Sequence, residues 1–106
     1  MLSSFLTVSE LQKRCTDNTE IHLESIEQNN IEGMPHFCIA PDGLSTYTSM
    51  KILPYYPMEV ALSGNSGSAI LKCIRSVVEI SENVFRIICG SENVCGLRNE
   101  FILTII

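Results

Sequence analysis

The sequence predicts an all-β domain, a small antiparallel barrel with a short N-terminal helix. Three observations carry that expectation. From residue 20 onward apolar and polar residues alternate with a period of two. Turn signals rich in Gly, Pro, Asn and Asp recur at roughly ten-residue spacing, as in small sandwiches and barrels. The one good helix signal lies ahead of residue 17. The chain has 106 residues. A second core would need roughly 50 or more further residues, so one domain is expected, with its helix over about 7–16 and its barrel over about 20–106.

The helix is read from its start. Thr7-Val8-Ser9-Glu10 is a capping box, in which the Thr7 hydroxyl accepts from the Glu10 amide and the Glu10 carboxylate reaches back to the Thr7 amide. Leu6 and Leu11 stand where a hydrophobic staple needs them. Val8, Leu11 and Cys15 make one apolar face, and Thr16-Asp17-Asn18 ends the element. So short a helix is marginal alone and must dock on the rest of the chain. The stretch also looks like the first helix of a helix-turn-helix, but the strand-like continuation and the acidic charge set that aside.

Strands follow in order. Ile21 to Ile26 and Phe37 to Ala40 alternate, with turns at Glu27–Asn30 and Pro41-Asp42-Gly43. Leu44 to Leu53 is rich in Thr, Tyr and Ile, which suit a pleated surface. Pro54 and Pro57 bracket Tyr55-Tyr56 and forbid a regular central strand there. Met58 to Leu62 resumes the pattern, Gly64-Asn65-Ser66-Gly67 is a tight connection, and Ala69 to Ile80 is one long strand. Ser81-Glu82-Asn83 turns it back into Val84 to Cys89. Ser-Glu-Asn-Val at 81–84 recurs at 91–94, which reads as two similar turns. The end, Phe101 to Ile106, is apolar and β-branched. Left bare it would be an aggregation-prone edge, so it is expected to pair with the barrel, with a second chain or with further residues.

Composition excludes several classes. Seven Lys and Arg against twelve Asp and Glu give a net charge of −5, with the basic residues scattered. A non-specific nucleic-acid surface needs them clustered, so no nucleic-acid partner is expected. No run approaches the ~18 consecutive apolar residues of a membrane-spanning helix, and the first fifteen residues lack a basic start. Cys15, Cys38, Cys73, Cys89 and Cys95 are odd in number and lack close pairs. That pattern suits reduced thiols in a cytoplasmic protein better than disulfides or zinc.

Two nucleophile patterns compete with plainer readings of the same residues. Cys38 with His22 has the residue types of a thiol and its base, but nothing orients the histidine. Gly64-Asn-Ser66-Gly67 is similar to the segment around the nucleophile of trypsin-like proteases, and His36 and Asp42 precede Ser66 in the right order. Those enzymes build the site between two barrels, and this chain has length for one. A hairpin connection is the simpler meaning, and no catalytic activity is expected. His22 and His36 are fourteen residues apart, so neither a metal nor another cofactor is expected.

Three stretches carry a resemblance to a known family. Residues 37–49, FCIAPDGLSTYTS, resemble the second strand, the Gly-Leu turn and the next strand of a PilZ domain. Residues 52–62, ILPYYPMEVAL, resemble the loop and strand that follow, and 69–90, AILKCIRSVVEISENVFRIICG, resemble its closing hairpin. The likeness covers about two thirds of the chain and rests on strand rhythm more than on invariant letters. It implies a six-stranded antiparallel barrel.

Typical members bind cyclic di-GMP through an Arg-x-x-x-Arg pair and an Asp/Asn-x-Ser-x-x-Gly motif. Laid on this chain, Gly43 keeps the final glycine, while Ala40 holds the Ser position and Cys38 the Asp/Asn position. Arg14 matches one arginine, but Asn18 stands four residues on. Each lost charge-assisted bond costs on the order of 1.5–3 kcal/mol, so Arg14 and Gly43 mark a vestigial nucleotide site. The resemblance then implies a bacterial adaptor acting through protein partners, such as those of type IV pilus assembly, motility or signalling. Tyr55, Tyr56 and Phe101 are the candidate contact residues, since paired tyrosines between prolines and an apolar tail suit an interface. Self-association of the β domain is the alternative those same residues raise.

Overall fold

The computed structural model of the chain describes residues 4–16, 19–28, 44–54, 58–65, 67–90 and 98–106. The strand expected at 37–40, the turn at 41–43 and the tyrosine pair lie outside them. The N-terminal part holds β1 (Ser4–Leu6), which sequence reasoning missed, and α1 (Val8–Arg14). The capping box forms as expected: the Glu10 amide donates to Thr7 Oγ1 at 3.1 Å, and the Thr7 amide donates to Glu10 Oε1 at 3.4 Å. Glu10 in the first turn and Lys13 and Arg14 in the last complement the helix dipole. Two contacts supply what a seven-residue helix lacks alone. Leu11 is fully buried in the core, and Gln12 Nε2 donates to the Met50 carbonyl at 3.2 Å.

The strands are β2 (Ile21–Gln28), β3 (Leu44–Tyr47), β4 (Ser49–Leu53), β5 (Glu59–Gly64), β6 (Gly67–Lys72), β7 (Ile74–Ser81), β8 (Val84–Gly90) and β9 (Arg98–Ile105). They pair antiparallel in two sheets, one of order β1-β7-β8-β9-β2-β3 and one of order β4-β5-β6. The chain is thus mainly antiparallel β, as its periodicity predicts. No closed barrel is found among the described residues. The expected tail strand begins earlier than its apolar run, at Arg98, and lies between β8 and β2. That pairing removes the bare edge which Phe101 to Ile106 would otherwise present.

Two long runs that read as single strands each bend once and pass from one sheet to the other. The run 44–53 bends at Thr48, whose amide donates to the Ser63 carbonyl at 2.9 Å. The run 67–81 bends at Cys73, whose φ is +57°. Bent strands that switch sheets are the usual corners of orthogonally packed β structure. They fold the two sheets around one core. Leu23, Val60, Leu62, Leu71, Val77, Phe85, Ile87, Phe101 and Leu103 are all buried from one or other sheet. Each such side chain contributes roughly 1.5–3 kcal/mol through removal from water.

Candidate functional site

Of the two residues that the resemblance marked as a vestigial nucleotide site, Arg14 is described, and it stands at the C-terminal end of α1. There it reaches across to β7. Its two terminal nitrogens donate to the two carboxylate oxygens of Glu79, at 3.2 and 3.3 Å. Its guanidinium carbon stands 5.8 Å from the centroid of the Phe85 ring. A two-toothed pair over an aromatic face is the geometry in which arginine binds a planar anion best. Here the chain's own carboxylate takes that place.

Glu79 was not singled out from the sequence, yet a signal exists. It shares the core-facing side of its strand with Val77, directly opposite Phe85. A carboxylate on that side needs a cation to offset desolvation. Glu79 Oε2 also accepts from the Asn83 amide at 3.4 Å, so it ties the β7–β8 turn to the helix end. That turn uses Asn83 at φ +58°, a residue type that tolerates the left-handed region. The outcome is a strut between helix, strand and turn.

Beside it, on the other flank of α1, lies an open groove of about 430 Å3 lined by Gln12, Lys13, Cys15, Thr16 and Met50. Its thiol is a poor nucleophile: burial pushes Cys15 up to about 11, so it stays protonated and unreactive near neutrality.

No family model, curated protein or solved structure matches the chain.

The remaining candidates divide plainly. Gly43, Tyr55 and Tyr56 lie outside the described residues, as do Cys38 and the trio His36, Asp42 and Ser66. Phe101 is fully buried, opposite Ile87 on β8, so its side chain belongs to the core and offers no contact surface. The alternation along β9 explains this: Phe101, Leu103 and Ile105 face inward, and Ile102 faces out. His22 also faces away from the core. Its Nε2 stands 3.1 Å from Glu20 Oε1, off the line a hydrogen bond requires. No group of three metal-binding side chains occurs among the described residues. No helix among them is long and apolar enough to cross a membrane.

A second ion pair lies on the outer face of the six-stranded sheet. Arg86 Nε donates to Glu100 Oε1. Glu100 is 6% exposed, and a carboxylate that buried needs such a partner. Sequence reasoning missed it because the two residues fall on different strands, two residues off direct register.

Proposed function

We propose that the chain is a PilZ-like six-stranded barrel that serves as a non-catalytic regulatory or adaptor module in the bacterial cytoplasm. It acts through protein contacts, with type IV pilus or motility machinery as the class of partner, and does not take up cyclic di-GMP. The barrel reading draws support from the two bent runs. Counted as single strands, 44–53 and 67–81 join the ladders β2–β3, β4–β5, β5–β6, β7–β8, β8–β9 and β9–β2 into a ring of neighbours.

One observation carries the loss of nucleotide binding: both terminal nitrogens of Arg14 are held by Glu79. A dinucleotide phosphate would have to displace a carboxylate already within the fold, without the second arginine that Asn18 replaces. Calorimetric titration of the full chain with cyclic di-GMP tests this. The expected result is no saturable heat at sub-millimolar ligand. Binding in that range that Arg14→Ala abolishes would overturn the reading. A pull-down from the native host that returns a motility or pilus component supports the adaptor role.

A further inference from the structure

The outer face of the six-stranded sheet carries one unbroken row of side chains. Cross-strand register places Phe5 beside Val78, Val78 beside Arg86, Arg86 beside Ile102, Ile102 beside Glu24, and Glu24 beside Leu44. Residues directly paired across strands share a face. All six positions face away from the core, because their neighbours Leu23, Val77, Phe85, Ile87, Phe101 and Leu103 are buried. The ends of the row are exposed and apolar: Phe5 is 80% and Leu44 58% accessible. An isolated exposed apolar residue needs no explanation, but a row of four with one cation and one anion interleaved is a patterned surface.

The order of that row is self-complementary. Consider a twofold axis running along β9, over Ile102, between two copies packed face to face. Strand β9 then lies over its own copy, β8 over β2, and β7 over β3. Ile102 meets Ile102, Arg86 meets Glu24, and Val78 meets Leu44, twice over by symmetry. No other residue of the row is left opposite a like charge. A twofold axis at right angles to this one, along the row, would set Arg86 on Arg86 and Glu24 on Glu24, so the charges select one arrangement.

The two charged groups are available for it. Glu24 is exposed and makes no ion pair with another of the described residues. Arg86 binds Glu100 through its Nε, its side chain is 45% exposed, and its terminal nitrogens make no hydrogen bond to another of the described residues. Glu100 itself lies near the axis, but it is 6% exposed and already neutralised by Arg86. A strongly twisted sheet touches its copy chiefly over its middle strands, and β8, β9 and β2 are the strands that carry Arg86, Ile102 and Glu24.

We infer that this face is a homodimer interface, with a second copy of the chain as its occupant. The inference stands independently of the adaptor reading and uses none of the same residues. The contact is narrow, so a weak dimer with a Kd on the order of 10–100 μM is expected. Sedimentation equilibrium on the full chain tests it. Glu24→Lys sets a cation against Arg86 of the partner and should weaken the dimer at least about tenfold. Leu44→Asp, which removes the apolar end, should do the same. Glu82→Lys makes the same charge change at an exposed turn off the row and should leave the dimer unchanged. A wild-type chain that stays monomeric at about 1 mM overturns the inference. So does a dimer that survives both Glu24→Lys and Leu44→Asp, or one that Glu82→Lys weakens as much as Glu24→Lys.

Discussion

The two corners of this molecule solve one problem in opposite ways. At Thr48 the bending residue keeps out of the left-handed region, and the neighbouring strand gives way instead. A Cβ on Gly64 would stand 3.0 Å from Tyr47 Cα and 3.2 Å from the Thr48 nitrogen, so only glycine lets β5 come that close. The Thr48 amide and the Ser49–Ser63 hydroxyl pair at 2.7 Å then fasten the bend. At Cys73 the demand falls on the backbone of the bend. The bending residue itself takes the left-handed conformation, at φ +57°, and backbone bonds hold it there. The Ile74 amide donates to the Met58 carbonyl at 3.3 Å, and the Gly90 amide to the Cys73 carbonyl at 3.0 Å. The first corner places its demand on a residue sixteen positions away. The second places it on the residue that bends. The same shape therefore leaves different positions sensitive to substitution.

The largest effect should come from filling the space at the first corner. Gly64→Val forces a branched side chain against backbone, which cannot swing aside as a flexible side chain would. Overpacking of that kind costs about 3 kcal/mol. Urea unfolding should show the midpoint fall with little change in slope. A loss under about 1 kcal/mol would mean that β5 retreats easily from the bend, and the contrast between the corners would dissolve.

The helix side of the first corner supplies a second probe. Cys15 lines the same groove as Met50, two residues beyond Thr48. Its thiol is raised from 9.0 to about 11 by burial. Folding thus favours the protonated form. The stability it contributes is whole below about pH 9 and is lost as pH rises through about 11. That rise corresponds to about 2–3 kcal/mol at most. The measurement is a difference, which isolates the thiol: wild type should lose more stability than Cys15→Ala between pH 8.5 and about 11. Parallel curves would show that the groove wets the thiol.

Much of this arrangement could be read from the sequence, and the gaps have a common cause. The capping box, the strand from Ile21 to Ile26 and the hairpins after residue 58 rest on local spacing, which periodicity and turn chemistry record, whereas Glu27 and Gln28, expected in a turn, continue β2 beside β9. The corners do not. Thr48 and Cys73 are neither Gly nor Pro, so nothing local punctuates the runs 44–53 and 67–81. Gly64 read as half of a tight turn, and it does face Gly67 across one, but the space it leaves serves Tyr47. Arg14 and Glu79 are 65 residues apart, beyond any local pattern. Phe101 shows the converse limit. An apolar tail reads alike as a contact strand or a core strand, and only its place between β8 and β2 decides.

The smallest effect sharpens the comparison from the second corner. Cys73 and Asn83 are the two non-glycine residues at positive φ among the described residues, at +57° and +58°. They differ in chemistry. A short amide side chain tolerates the left-handed region, whereas the Cβ of cysteine meets the full steric penalty of roughly 1 kcal/mol or more. Glycine removes that penalty at either site, but its looser unfolded chain takes back about 0.5–1 kcal/mol. Cys73→Gly should therefore hold stability level or raise it by up to about 1 kcal/mol, a rare outcome for a substitution inside a β structure. Asn83→Gly, starting from a conformation asparagine already accepts, should be neutral or slightly destabilising. Thermal unfolding of both variants beside wild type measures the difference between them. A Cys73→Gly variant less stable than Asn83→Gly would show that the Cys73 side chain, not its backbone angle, holds the second corner, and the two corners would then differ in packing rather than in where the strain resides.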